Sequence, residues 1–438
     1  MSLFLGFFKN TLVKETFLYG FVGIMSKFAP LLTIPIYINY IGIEGFGYLD
    51  LYMTIGMAFF ILFEMQIVSG VMRDYYESKK TGNLQKLIGS AINVYLFGYL
   101  ILCSVYSYVY FNFSFESISS EHLLPIVLSV LPQQIFSLVN VVLRMEHKAK
   151  SYVLLNLASV VTVITFGITS IFIFGSHVLN ILYGILFGQM LIGAISYLII
   201  NKNIPISLSS LYIKNIITYG LPIAISTLGG WLLASSGRII LSGEVTAYDL
   251  GAYSLSLKVA MIYMVVLQAF RTAWDPYCMK KFGELDPKNT FARSLSYYWL
   301  IGLVGALIIY FISPVVLYLL SSNTNTTNRS LIALILLGYF WQGAINIVAV
   351  GTAWSRKTYL NTFGTLTGGL TCILITYYLV KEQGIFAAAI GYAIGVKLSF
   401  IIIFLFAQKQ VYIPYKKIYL SLVLSLSLLF LFFLTNNI

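Results

Sequence analysis

From its first residues to its last, the chain repeats one pattern: an apolar run, a short polar or basic break, then another apolar run. Each run is long enough to cross ~30 Å of hydrocarbon as an α-helix. Thirteen spans are predicted, near 15–40, 46–71, 87–111, 122–143, 151–174, 178–200, 213–237, 246–271, 294–320, 330–352, 358–380, 384–407 and 415–435. The runs are apolar on nearly every side, whereas a membrane β-barrel needs ~10-residue segments that alternate between a lipid face and a polar lumen. The pattern therefore predicts an all-α polytopic membrane protein. Its longest connections on one side, NFSFESISSE (112–121) and SSNTNTTNR (321–329), are too short to house a soluble catalytic domain.

Several features subdivide this array. "MSLFLGFFKN" puts its apolar residues before the first positive charge and lacks a cleavage site, so it reads as an interfacial segment tethered by Lys9 and Lys14 rather than as a signal peptide. "YG" opens span 1 at 19–20 and span 7 at 219–220, and GFGYLDLYMTIGMAF from Gly45 resembles DLGAYSLSLKVAMIY from Asp249, with Gly47 opposite Gly251. Six spans is an even number, so the halves share one orientation, a parallel repeat of the kind transporters use. The expected domains are 1–205 (spans 1–6), 206–410 (spans 7–12) and an additional span in 411–438. Pro30 and Pro35, Pro125 and Pro132, and Pro222 with Gly229 and Gly230 mark places where a span can bend. GTLTG at 364–368 is a GxxxG, which points to close helix packing.

The composition is 59% hydrophobic and 10% charged, with a formal net charge of +12. Sorting the cations by loop removes the suggestion of a nucleic-acid partner. One side of the membrane holds only Arg238, Arg329 and Lys381, and nearly all the other loop cations fall on the opposite side, which the positive-inside rule makes cytoplasmic, together with the N-terminus. Three cysteines and three histidines lie far apart, with no metal-binding spacing, so neither a metal nor another cofactor is expected.

Lys27, Lys258, Arg271 and Lys397 fall inside predicted spans, and Glu64 is the one acid expected deep in any of them. A charge at bilayer depth costs roughly 2.5–3.5 kcal/mol by insertion scales and belongs in a bundle interior or a wet cavity. At ~1.5 Å per residue the three lysines sit near mid-membrane, beyond the reach of snorkelling, and they form the candidate substrate-binding set. Glu64 is a candidate for H+ or Na+ coupling; a structural ion pair between Lys27 and Glu64 is the competing reading. Arg271 is about 140° around the helix from Lys258 and at the opposite depth, so it reads as an anchor beside Trp274 or a residue of the inner mouth. Asp50 and Arg238, near the outer ends of spans 2 and 7, are either solvated end residues or partners across an outer gate.

PIYINYIGIEGFGYLDLY (35–52), VVLRMEHKAKSY (141–152), YGLPIAISTLGGWLLASSGRIIL (219–241), LGAYSLSLKVA and FRTAWDPY together resemble the Wzx-type flippases, polysaccharide transporters of the MOP superfamily. The resemblance covers most of the first twelve spans. It implies two six-helix lobes of the MATE-like fold, with spans 1, 2, 7 and 8 around a central cavity, so that Lys27, Glu64 and Lys258 would line it, while Lys397 in span 12 departs from that set. It also implies a bacterial inner-membrane protein whose substrate is an undecaprenyl-pyrophosphate-linked oligosaccharide, an O-antigen or capsule repeat unit, with membrane lipids and the polysaccharide polymerase machinery as further partners. Mid-membrane lysines would offer counter-charges to the pyrophosphate.

A multidrug exporter of the same superfamily would call for a cavity dominated by carboxylates. A lipid II flippase would want the same cationic cavity and fourteen spans. A membrane polysaccharide polymerase or ligase would present a large outer loop with catalytic Arg or His, and none is long enough here.

Overall fold

The computed structural model describes residues 11–113, 118–201, 209–282, 287–321, 328–416 and 423. Among them are thirteen helices and no strand, and eleven helices are long and apolar enough to cross a membrane. The segment MSLFLGFFKN and nearly all of the last predicted span, 415–435, lie outside the described residues.

Helix α1, Thr11–Glu64, carries both of the first two predicted spans. A straight helix of that length would run about 80 Å, far more than a bilayer core requires. Gly42 breaks it, with φ 71° and ψ 176°, a conformation essentially reserved for glycine. Pro30, before the break, and Phe60, after it, line the same cavity, so the chain turns back at Gly42 and the two halves form the first hairpin. Span 2 ends at Glu64 and not at 71 as its hydropathy predicts, because Met65 (φ 47°) and Gln66 (φ 54°) are left-handed and interrupt the helix.

The chain resumes as α2, Ile67–Lys80, a short amphipathic helix. Its face of Ile67, Gly70, Val71, Tyr75 and Ser78 is buried, and Arg73, Tyr76, Lys79 and Lys80 are exposed. Each fully buried aliphatic side chain on such a face contributes about 1.5–3 kcal/mol against exposure to water.

The next helices follow the predicted spans to within a few residues: α3 (Leu84–Asn112), α4 (Ser120–Met145), α5 (Ala149–Phe174), α6 (Val178–Asn201) and α7 (Ser210–Leu241). Then come α8 (Ala247–Lys281), α9 (Pro287–Leu320), α10 (Arg329–Val348), the short α11 (Val350–Trp354), α12 (Tyr359–Gln383) and α13 (Ile385–Gln410). Helix α8 continues ten residues past the predicted end of span 8 at 271, to Lys281.

The chain divides into two compact units, Met1–Gly45 with Leu49–Ile225, and Phe46–Tyr48 with Ser226–Ile438. The second boundary falls inside α7, just past Pro222. In the first unit, Tyr75 of α2, Leu87 and Tyr95 of α3, Leu138 of α4 and Ile216 of α7 are fully buried in one core.

In the second unit the core is aromatic. Trp341 and Phe400 have ring centroids 4.9 Å apart, with Trp299 at 5.5 Å from Trp341 and 5.4 Å from Phe340. Helix α10 is the most enclosed, with 78% of its apolar window buried, whereas α5 and α9 bury 17% of theirs and turn the rest outward, as lipid-facing helices do. Gly364 and Gly368 of the GTLTG motif pack closely against Ile403 and Gly395 of α13, which is the close helix contact that the GxxxG pattern predicts. Gly47 and Gly251, aligned in the internal repeat, pack directly on each other: a Cβ on Gly47 would stand 2.6 Å from the Gly251 nitrogen and 2.7 Å from its Cα.

Candidate functional site

Helix α8 is enclosed at mid-length on all sides but one. From Tyr253 to Ala260 every residue is buried except Lys258, which is half-buried. Lys258 lies about 17 Å along the helix from Ala247, near the middle of the apolar window. Tyr253, Leu255, Leu257, Val259 and Ala260 turn in other directions around the helix and pack, so the open side of α8 at this depth is the side that carries the cation. The buried hydroxyl of Ser254, one turn earlier, makes no hydrogen bond.

The other two lysines of the expected set differ from it. Lys397 is 8% exposed, on α13, with its Nζ 5.7 Å from the centre of the Trp341 ring, whose face attracts a cation. Its immediate surroundings are thus the aromatic core of its own unit. Lys27 lies on α1, but its side chain is outside the described ones.

Glu64 is 1% exposed and sits at the break between α1 and α2. Its Oε2 accepts from the Gln66 N–H at 2.8 Å, and its Oε1 accepts from the Val68 N–H at 3.2 Å and from the Tyr95 hydroxyl at 3.2 Å. The first N–H groups of a helix have no partner within it, and a carboxylate there meets both that need and the positive end of the helix dipole. Glu64 thus caps the helix that follows it, across two left-handed residues. The competing pair with Lys27 involves a side chain outside the described ones; among the described residues these three donors hold Glu64.

Asp50 corrects the expectation of a solvated end residue. It is 5% exposed, and Glu64 is therefore not the one buried acid of the first hairpin. Arg238, on α7, is half-buried and reaches back to the Ala234 carbonyl at 3.5 Å.

Arg271 lies ten residues before the end of α8, exposed, with its Nε 3.3 Å from Asp275 Oδ2 one turn on. Trp274, expected beside it at the interface, is instead buried, stacked at 5.6 Å on Phe270 and edge-on at 6.1 Å to Phe291. The tryptophan packs inward because α8 continues past the span and α9 begins alongside it.

Two cavities accompany these residues. An apolar one of about 610 Å³ runs between α8 and α9, from Ile262 to Trp274 on one wall and from Ser294 to Val316 on the other. A second, of about 400 Å³, lies within the first unit and is lined by uncharged polar side chains of α4, α5 and α6: Gln133, Ser137, Asn140, Ser159 and Gln189. The latter group is absent from the residues singled out in the sequence, although the spacing Gln133, Ser137, Asn140 is a polar stripe on one helical face and could have been read there.

Outside the spans, Glu146 in the turn after α4 accepts from Lys148 Nζ at 2.6 Å and from the Tyr75 hydroxyl at 3.3 Å. Partial burial pushes its carboxyl up, but the hydrogen bond and charge of Lys148, with smaller contributions from Tyr75 and Lys79, outweigh this and leave it below its ordinary range. At the far end of α8, burial beside Asp275 pushes the Cys278 thiol up to about 12. Among the described residues no group of His, Cys, Asp and Glu is placed to hold a metal ion.

Comparison with known proteins agrees with this architecture. The chain is 22% identical over 409 residues to a protein of the Lsg locus of Haemophilus influenzae, covering 84% of this chain and 98% of that one. It is 23% identical over 385 residues to an uncharacterised membrane protein of the same organism, covering 81% and 90%. Among solved structures it is similar to an inward-facing multidrug-resistance MATE transporter of the MOP superfamily, with a TM-score of 0.71 at 14% identity over 88% of this chain and 94% of that one. It is likewise similar to the lipid II flippase MurJ, with a TM-score of 0.70 at 15% identity over 96% and 92%. The chain thus shares its fold with a MATE transporter of the MOP superfamily and with MurJ. The family model described as polysaccharide biosynthesis protein matches residues 12–282, more than half of the chain, and the protein belongs to that family.

Proposed function

We propose that the protein is a flippase that carries an undecaprenyl-pyrophosphate-linked oligosaccharide, an O-antigen or capsule repeat unit, from the cytoplasmic to the outer leaflet of the bacterial inner membrane. Family membership and the transporter fold support a lipid-linked substrate. The observation that carries the reading to this chain is Lys258, the one open position on an otherwise enclosed stretch of α8 at mid-membrane depth. A half-open ammonium at that depth offers a counter-charge to an anionic headgroup that must pass through hydrocarbon. Alternating access by rocking of the two lobes would move the headgroup while the prenyl chain stays in lipid.

Of the two lysines whose side chains are described, Lys258 has the open side that a headgroup contact needs; Lys397 would have to leave Trp341 first. Glu64 is the group to test for H+ or Na+ coupling: if it takes part, its capping bonds must break and reform with each stroke. Asp50, Arg238 and Arg271 are the positions to test for gating.

The test is transport in liposomes, following inside-to-outside movement of a lipid-pyrophosphate oligosaccharide, with lipid II as a competing substrate. A lost charge-assisted contact is worth about 1.5–3 kcal/mol, so Lys258→Ala should slow transport by roughly ten- to a hundredfold. Lys258→Arg should retain most of it. Equal rates for wild type and Lys258→Ala would remove the lysine from the site, and preferential movement of lipid II would reassign the substrate.

A further inference from the structure

We propose that the cavity within the first unit is a subsite for a neutral sugar ring of the transported glycan, separate from the headgroup contact at Lys258; the inference rests on the flippase reading above.

Its position makes polarity there expensive. Gln133 lies about 20 Å along α4 and Gln189 about 17 Å along α6, both near the middle of their spans. Uncompensated polar groups at such depth are disfavoured unless they meet a partner or line a wet or ligand-filled space. Some of these groups are paired. Gln133 Nε2 donates to Ser129 Oγ at 3.0 Å, to the Ser129 carbonyl at 3.2 Å and to Gln189 Oε1 at 3.4 Å. Asn156 Nδ2 donates to Asn140 Oδ1 at 2.8 Å.

These bonds fix the orientation of Gln133 and Asn140 and leave capacity over. Among the described residues no hydrogen bond engages the Gln133 oxygen, the Gln189 or Asn140 amide nitrogens, or the hydroxyls of Ser137 and Ser159. None of these atoms is shut away from the open space, unlike the amide of the neighbouring Gln134, which is fully buried.

The chemistry of this lining selects its ligand. No charged residue takes part, so a pyrophosphate would find no cation there and a cationic drug no carboxylate. Carboxamides and hydroxyls present donors and acceptors together, which is what vicinal sugar hydroxyls require. The rest of the wall is apolar: beside the aliphatic Val160, Val163, Ile164 and Ile192, it includes Phe60, Phe136, Pro30 and Pro132, flat surfaces suited to the C–H face of a pyranose ring. At about 400 Å³ the space falls within the ordinary size of small-molecule sites.

The test uses the full-length protein in detergent with neutral methyl glycosides of glucose, galactose and N-acetylglucosamine, observed by saturation-transfer NMR. At least one glycoside should show transfer, and that transfer should weaken at least tenfold in the double variant Q133L/Q189L. The milder pair S137A/S159A, which removes no fixed amide, should weaken it severalfold and serves if the first variant fails to fold. No transfer to any glycoside, or transfer that survives both variants, overturns the subsite. Thermal stabilisation by Na+ over choline that is lost in these variants, with no glycoside signal, would assign the cavity to a cation and also overturn it. Transport separates the two readings. A wild type that binds glycosides through these residues but moves no lipid-linked oligosaccharide keeps the subsite and sinks the flippase. One that transports but binds no glycoside does the reverse.

Discussion

Four buried or half-buried charges show how differently the same cost can be met. Lys397 rests on a tryptophan face in an aromatic core, Glu64 is held by three donors, Asp50 is enclosed beside the first hairpin, and Lys258 alone has an open side on an enclosed helix. Glu64 lends itself to a direct stability test. Glu64→Ala leaves the Gln66 and Val68 N–H groups and the Tyr95 hydroxyl without an acceptor, which should cost on the order of 3 kcal/mol or more. Glu64→Gln keeps one acceptor oxygen and should cost roughly half as much. Thermal unfolding of both variants in detergent, followed by size-exclusion fluorescence, measures this, and an unchanged midpoint for Glu64→Ala would show that the cap does not matter. Glu146 gives a pH signature. Its carboxyl is lowered in the folded state, so its contribution is fully present above the ordinary value of 4.5 and fades as pH falls below it. The stability gap between wild type and Glu146→Gln should therefore narrow as pH is taken from about 6 to about 4. A gap independent of pH would mean that the Lys148 and Tyr75 contacts add nothing.

At the scale of elements, the apolar pattern locates spans well and their ends poorly. Hydropathy carried span 2 to residue 71 because Ile67, Val68 and Val71 are apolar; yet Ile67 and Val71 belong to the buried face of α2, beyond a break made by two left-handed residues and a capping carboxylate. It likewise ended span 8 at Arg271, whereas α8 runs on to Lys281 with Trp274 and Cys278 buried. Period and hydropathy register which side chains avoid water, and a helix packed on protein avoids it as well as one in lipid. The hairpin of α1 depends on one residue. No atom crowds the site of a Cβ on Gly42, so Gly42→Ala should act through backbone strain alone, about 1–3 kcal/mol. A fall in the thermal midpoint without loss of expression is the expected outcome, and an unchanged midpoint would mean that the turn tolerates an ordinary residue.

At the scale of the whole molecule, two units of membrane helices and a family of polysaccharide biosynthesis proteins set the frame. The transport measurement with Lys258→Ala belongs here, since it asks whether one charge at mid-depth limits the movement of an entire lipid-linked substrate. The sequence by itself determined the all-helical membrane class, twelve of the helical spans, the basic loops and the family. All of these are written in local composition and period, which survive any rearrangement of neighbours. What only the tertiary structure decided is which charge is enclosed and which is open: that Asp50 is buried, that Glu64 caps a helix, that Lys397 lies on Trp341, and that Gln133, Ser137, Asn140, Ser159 and Gln189 converge on one cavity. A helix shows its own face in its sequence, but what that face meets is set by other helices whose residues lie far away along the chain.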